Sequence, residues 1–128
     1  MKTGKSSSTD IILFAEKYIT FFENEFGRTR ESYYRFFDND EFLKDCEKLG
    51  FKMDGGSTFI KKYGENAWNT VQGLKECIDR IEDMKAVGNA LFSQWRYFNH
   101  WSSPSYANEE TKEWFLLLFR RMKEQFGK

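Results

Sequence analysis

Residues 88–101, GNALFSQWRYFNHW, decide the fold, because no other fourteen residues combine so much aromatic mass with such ordered polar spacing. Wound into a helix at about 100° per residue, Leu91, Phe92, Trp95 and Phe98 share one side, joined upstream by Ile81, Met84, Val87 and Gly88. That side is core. Ala90, Gln94, Tyr97 and Trp101 form a second sector whose rings end in polar tips able to find partners when partly buried. Asn89, Ser93, Arg96 and His100 then recur at i, i+4, i+7 and i+11, within an arc of about 60°. The pattern is a narrow polar stripe between aromatic walls.

Working outward, Val71, Leu74 and Ile78 continue the same three- and four-residue steps without a proline. The spacing predicts a single helix from about residue 66 to 102, on the order of 50 Å long. Gly73 is the place where it would split, and Gly88 the place where a neighbour would approach closely. The only proline falls in 102–107, which reads as a turn. Asn108 caps a last helix with Glu109 and Glu110 in its first turn and Arg120, Arg121 and Lys123 in its last, matching the macrodipole at both ends. Its apolar side, Trp114, Phe115, Leu118, Phe119 and Met122, packs antiparallel on the long helix.

Upstream, Thr9 or Asp10 caps a helix running to about Phe26, with Ile11, Phe14, Ala15, Tyr18 and Phe22 on one side and Gly27 as its stop. Residues 28–37 read as a short helix. Asp38 with Glu41 makes a capping-box analogue for the helix carrying Phe42, Leu43, Cys46 and Leu49, which Gly50 ends. FKMDGGS, residues 51–57, reads first as a plain turn; its paired glycines also allow amides to converge on an anion or bring Asp54 to another segment. Residues 58–63 are one helical turn or a short strand. The fold expected is all-α: a compact single-domain bundle of about four to five helices around one long central helix, with an aromatic-rich core. Residues 1–8 form a flexible tail and 9–128 the helical domain.

Composition narrows the function classes. The 128 residues include 14 Phe, 6 Tyr and 4 Trp, enough buried area for one domain's core. Lys plus Arg and Asp plus Glu stand at 20 each, so no net field draws the molecule onto phosphate, which weighs against nucleic acid. Cys46 and Cys77 form no CxxC and read as reduced core residues. The run after the N-terminal basic stretch is broken by Glu16 and Lys17, unlike a signal peptide, and no apolar run reaches membrane length. A soluble, cytoplasmic protein is expected. One histidine, no HExxH, no GxSxG, no P-loop and no clustered ligand set argue against an enzyme and against a metal or other cofactor.

With GNALFSQWRYFNHW flanked by LGFKMDGGSTF and EWFLLLFRRMKE, the chain resembles small bacterial proteins of unknown function that carry an FSxWRYxxHW-like helix. The likeness covers most of residues 38–123 and rests on residues 92–101 and the MDGG loop. It implies no activity, cofactor or catalytic residue.

Three readings of the stripe stay open. Asn89, Ser93, Arg96 and His100 face water; or Arg96 and His100 tie the helix to an acid such as Asp54 or, less well placed, Asp83; or the four line a groove for a small anionic ligand. In the last case Asp54 or Gly55-Gly56 lies opposite, with Trp101, Tyr97 or Trp95 as a stacking wall. The function expected is a non-catalytic binding or protein-interaction module, docking an unidentified protein partner or a second copy through the aromatic, Arg and His surface of this helix. The alternatives are a small-anion-binding domain and a nucleic-acid module stacking bases on Trp95, Tyr97 and Trp101.

Overall fold

Ile11, Phe14, Ala15, Tyr18 and Phe22 fall on one side of α1 (Ser8–Asn24), and all five are buried. The computed structural model describes residues 8–101 and 108–126, with the backbone alone at Ser8, Trp101 and Phe126. After α1 come α2 (Glu31–Phe37), α3 (Glu41–Lys48), α4 (Ser57–Tyr63), α5 (Glu65–Asn69), α6 (Val71–Cys77), a 3₁₀ turn (Ile78–Arg80), α7 (Met84–Trp101) and α8 (Glu109–Phe126). The described residues contain no strand, and none of their helices is long and apolar enough to cross a membrane. Ser8, expected in the tail, opens α1; residues 1–7 and the turn expected at 102–107 lie outside the described residues.

The core is built from rings. Phe22 stacks on Phe115 at 5.3 Å between centroids and Tyr18 on Phe119 at 5.6 Å, joining α1 to α8. Phe36 of α2 stands among Phe22, Phe42 and Phe37, each within 4.9 Å. Ion pairs Glu16–Lys123 and Glu23–Arg120 flank the same contact and set α1 antiparallel to α8. The helix expected to lie chiefly on α7 thus finds its main partner in α1. It still runs antiparallel to α7, since Phe98 meets Phe115 at one end while the Arg121 guanidinium donates to the Ile81 carbonyl at the other.

The single rod expected from 66 to 102 does not form. Thr70 is extended, at φ −138° and ψ 152°, and its Oγ1 accepts the Gly73 N–H at 2.9 Å, starting a new helix at Val71. Asp83 does the same for α7, its Oδ1 accepting the N–H groups of Lys85 and Ala86 at 3.1 Å each. Short polar side chains that bond nearby amides stabilise helix starts over helix interiors, and here they outweigh unbroken apolar periodicity. Gly73 allows a close approach between two separate helices: a Cβ there would sit 2.3 Å from the Asn66 carbonyl oxygen.

The other local expectations mostly hold. α1 and α3 end before Gly27 and Gly50, residues 58–63 are helical, and Asn108 Oδ1 accepts the Thr111 N–H at 2.9 Å. The capping box at Asp38 is absent. Asp38 instead closes α2 with its own N–H on the Tyr34 carbonyl, and Asn39 Oδ1 accepts the Glu41 N–H at 2.8 Å.

Gly88 lies under the ring of Phe51, so that a Cβ there would come within 2.3 Å of ring carbons. Phe51 is itself buried against Phe14 and cannot swing into solvent. Gly88→Ala should therefore lower stability in urea denaturation by about 1–3 kcal/mol from overpacking, despite alanine's better helix propensity; a more stable variant would refute this packing account. A second test uses Asp83, whose carboxyl is held below its ordinary 3.8 by Lys62 at 2.7 Å and by the Ala86 amide, against partial burial. A depressed folded-state value stabilises fully above the unfolded value and is lost as pH falls through the folded one. The destabilisation caused by Asp83→Ala should thus be largest near neutral pH and shrink below pH 3.8.

Candidate functional site

The polar stripe of α7 divides into an inner and an outer half. Asn89 and Ser93 are 8% and 6% exposed. Asn89 Oδ1 accepts the Lys52 N–H at 2.7 Å, and Ser93 Oγ accepts the Gly55 N–H at 3.1 Å. The Ser93 hydroxyl in turn donates to Asp54 Oδ1 at 3.3 Å, the same oxygen that receives the Gly56 N–H at 2.9 Å. Gly56 has a positive φ, 82°, and a Cβ on it would strike the Trp68 indole at 2.6 Å. The glycine pair therefore turns the loop tightly enough to bring the Gly55 amide onto α7 and the Gly56 amide back onto Asp54. Asp54 Oδ2 is buried without a hydrogen-bond partner.

The acid expected against this helix is Asp54, but Arg96 is not its partner. Asp54 is tied to this helix, but by Ser93, and neither Arg96 nor Asp83 takes part in that contact: Asp83 instead pairs with Lys62. The amides of Lys52 and Gly55 are taken by side chains of α7, and that of Gly56 by Asp54 of the loop itself.

The outer half is different. Arg96 and His100 are exposed, and Tyr97 is 50% exposed. The Arg96 Nη1 donates to Asn99 Oδ1 one turn on, at 2.9 Å. Trp101's side chain lies outside the described residues, as does Tyr106. Trp95, offered as a stacking wall, is buried to 1%, with its indole N–H donating to the Phe36 carbonyl at 2.7 Å. A cavity beside the second sector of α7, between Trp68, Gln94, Phe98 and Trp114, measures about 70 Å³, well under the size of a small-molecule site.

Several contributors escaped the sequence reading. Asn99 donates to the Phe37 carbonyl at 2.6 Å, Gln94 to the Trp68 carbonyl at 3.2 Å, and the Tyr33 hydroxyl to the Phe98 carbonyl at 2.6 Å. Asparagine is a poor helix former, and its place in the last turn of α7 was the available signal for Asn99. A second cluster had no local signal: the Tyr18 hydroxyl donates to Asp45 Oδ2 at 2.6 Å, and Lys17 bridges Asp45 and Glu41 at 2.7 and 2.5 Å. Burial first, then the Asp45 carboxylate, pushes the Tyr18 phenol far up, so it stays a hydrogen donor.

Cys46 and Cys77 are free and buried. Burial raises the Cys46 thiol well above its ordinary 9.0, aided by Asp45 and Glu47, and burial also raises Cys77 against the opposing charge of Arg80. Both are poor nucleophiles in this state. Among the described residues no group of three or more His, Cys, Asp or Glu is placed to hold a metal ion. No protein-family model matches the chain, and neither a curated protein nor a solved structure is similar to it.

The two halves should respond differently to truncation. Asn89→Ala strips the Lys52 amide of its acceptor and should cost about 1–3 kcal/mol, whereas Arg96→Ala should stay within about 0.5 kcal/mol of wild type. Chemical denaturation of the two variants measures this; a large loss at Arg96 would place it in the internal network.

Proposed function

We propose that the protein is a non-catalytic interaction module that docks a protein partner through the outer half of α7. The observation that carries this reading is Tyr97, half exposed between exposed Arg96 and His100, on a helix whose neighbouring positions Ser93 and Trp95 are buried. Tyrosine and arginine are the residue types that anchor interfaces, since each offers large contact area with directed polar atoms. Tyr34 on α2 is 40% exposed and follows Tyr33, which grips the Phe98 carbonyl, so a second ring belongs to the same end of the molecule.

The anion-binding alternative is less well supported, because its two deepest ligands, Asn89 and Ser93, already have amide donors. The nucleic-acid alternative loses Trp95 from its stacking platform to the core. The raised thiols of Cys46 and Cys77 favour a non-catalytic role. A cytoplasmic location fits reduced cysteines.

The test is site-specific photo-crosslinking in cells, with a crosslinking phenylalanine analogue at Tyr97 or, as control, at exposed Lys61. A discrete adduct at position 97 that Arg96→Ala abolishes is expected, its mass separating a second copy of this chain from another protein. Equal labelling at both positions, or none at 97, would overturn the proposal.

A further inference from the structure

Residues 53–56 read MDGG, and Asp54 is the one Asp or Asn of the chain that precedes a glycine. That pair has a chemistry of its own. The carboxyl of an aspartate can be attacked by the amide nitrogen of the next residue, and glycine, with no Cβ, hinders that approach least.

In the folded chain α7 holds the pair out of this reaction. The Gly55 N–H donates to Ser93 Oγ at 3.1 Å, and the Ser93 hydroxyl donates to Asp54 Oδ1 at 3.3 Å. One buried hydroxyl therefore grips both the attacking nitrogen and the carboxyl it would attack. The Gly56 N–H adds a second hold on the same oxygen at 2.9 Å. Ring closure requires the Gly55 nitrogen to shed its proton and swing onto Asp54 Cγ, so these bonds must break first.

The hold is also incomplete. Asp54 Oδ2 is buried without a donor, a cost that the closed loop bears and the open loop does not. Met53 lies between the anchored residues Lys52 and Gly55 and is 46% exposed, which places the segment at the surface. Such a segment opens locally, at a lower free energy than the core.

We propose that Asp54–Gly55 is a latent isoaspartyl site that the Ser93 hydroxyl keeps closed. When the loop leaves α7, the Gly55 nitrogen bonds to Asp54 Cγ. Its proton and the carboxyl hydroxyl leave together as water, and a five-membered imide remains. Water then adds to an imide carbonyl; opening at the main-chain carbonyl leaves Gly55 joined through Cγ and routes the backbone through Cβ. The added backbone atom falls between Lys52 and Gly55, whose amides meet Asn89 and Ser93 one helical turn apart. The altered loop no longer matches both anchors, so the change keeps the loop off α7.

The experiment incubates the full chain at neutral pH and follows isoaspartate at position 54 by isoaspartyl-methyltransferase labelling and electron-transfer fragmentation, with Gly55 amide exchange measured alongside by NMR. Ser93→Ala should form it about tenfold or more faster than wild type, with Gly55 exchange raised in parallel. Phe22→Leu serves as the control for global stability, since its ring packs on Phe36, Phe115 and Phe119 and not on the loop. It should leave both rates near those of wild type. Wild type unfolded in urea sets the unclamped rate, and the folded chain should fall well below it. Equal rates in the folded and unfolded chain would overturn the proposal whether or not Ser93→Ala folds. So would a folded Ser93→Ala no faster than wild type, equal acceleration by Phe22→Leu, or isoaspartate accumulating first at another aspartate.

Discussion

Backbone groups at helix ends must be satisfied, and this chain has an unusual number of such ends. Between α1 and α7 lie five helices of five to eight residues. Each leaves amides at its start and carbonyls at its end without intrahelical partners. Water can serve the exposed ones, but those turned toward the core need side chains. The two 18-residue helices, α7 and α8, supply them. Trp95 and Asn99 take the Phe36 and Phe37 carbonyls at the end of α2. Gln94 and Trp114 take the Trp68 and Ala67 carbonyls of α5, and Glu110 accepts the Val71 N–H that opens α6. Arg121 holds both Asp79 and Ile81 carbonyls around the 3₁₀ turn.

This arrangement accounts for the choice of ring at several core positions. Phenylalanine fills volume alone, whereas the indoles of Trp95 and Trp114 fill volume and present an N–H at the rim of the core, where a short helix ends. Tyr33 and Tyr18 act likewise through their hydroxyls, one on the Phe98 carbonyl and the other on Asp45. Replacing any of them by phenylalanine would keep most of the packing and leave a carbonyl or carboxylate short of a donor. Leaving a buried acceptor unpaired costs more than the hydrogen bond itself contributes.

The same arrangement explains what could be read from the sequence. The inward faces of α1, α7 and α8 were legible because apolar residues recur at helical steps along each, and Gly88 was legible as a point of close approach. The breaks at Thr70 and Asp83 were not, since Val71, Leu74, Ile78, Ile81 and Met84 keep helical spacing straight through them while facing one core from separate pieces. The caps were visible as residue types, but nothing local weighs a cap against continued periodicity. Asn89 and Ser93 were visible as a stripe with Arg96 and His100. That their partners lie 37 to 39 residues earlier, in the loop at 52–55, is a tertiary fact with no spacing signature.

What the inner half of the stripe does also bears on the outer half. Asn89 and Ser93 pin α7 to the 52–55 loop, Trp95 pins it to α2, and Asn99 pins the next turn while accepting from Arg96. Tyr97 and the aliphatic stem of Arg96 therefore rise from a backbone held both to the 52–55 loop and to α2. An interface built on such a segment loses little backbone entropy on association, so few contacts suffice for a given affinity. The buried Asn89 and Ser93 and the exposed Arg96 and His100 share one helical stripe, so the residues that hold the fold also fix the position of the exposed ones.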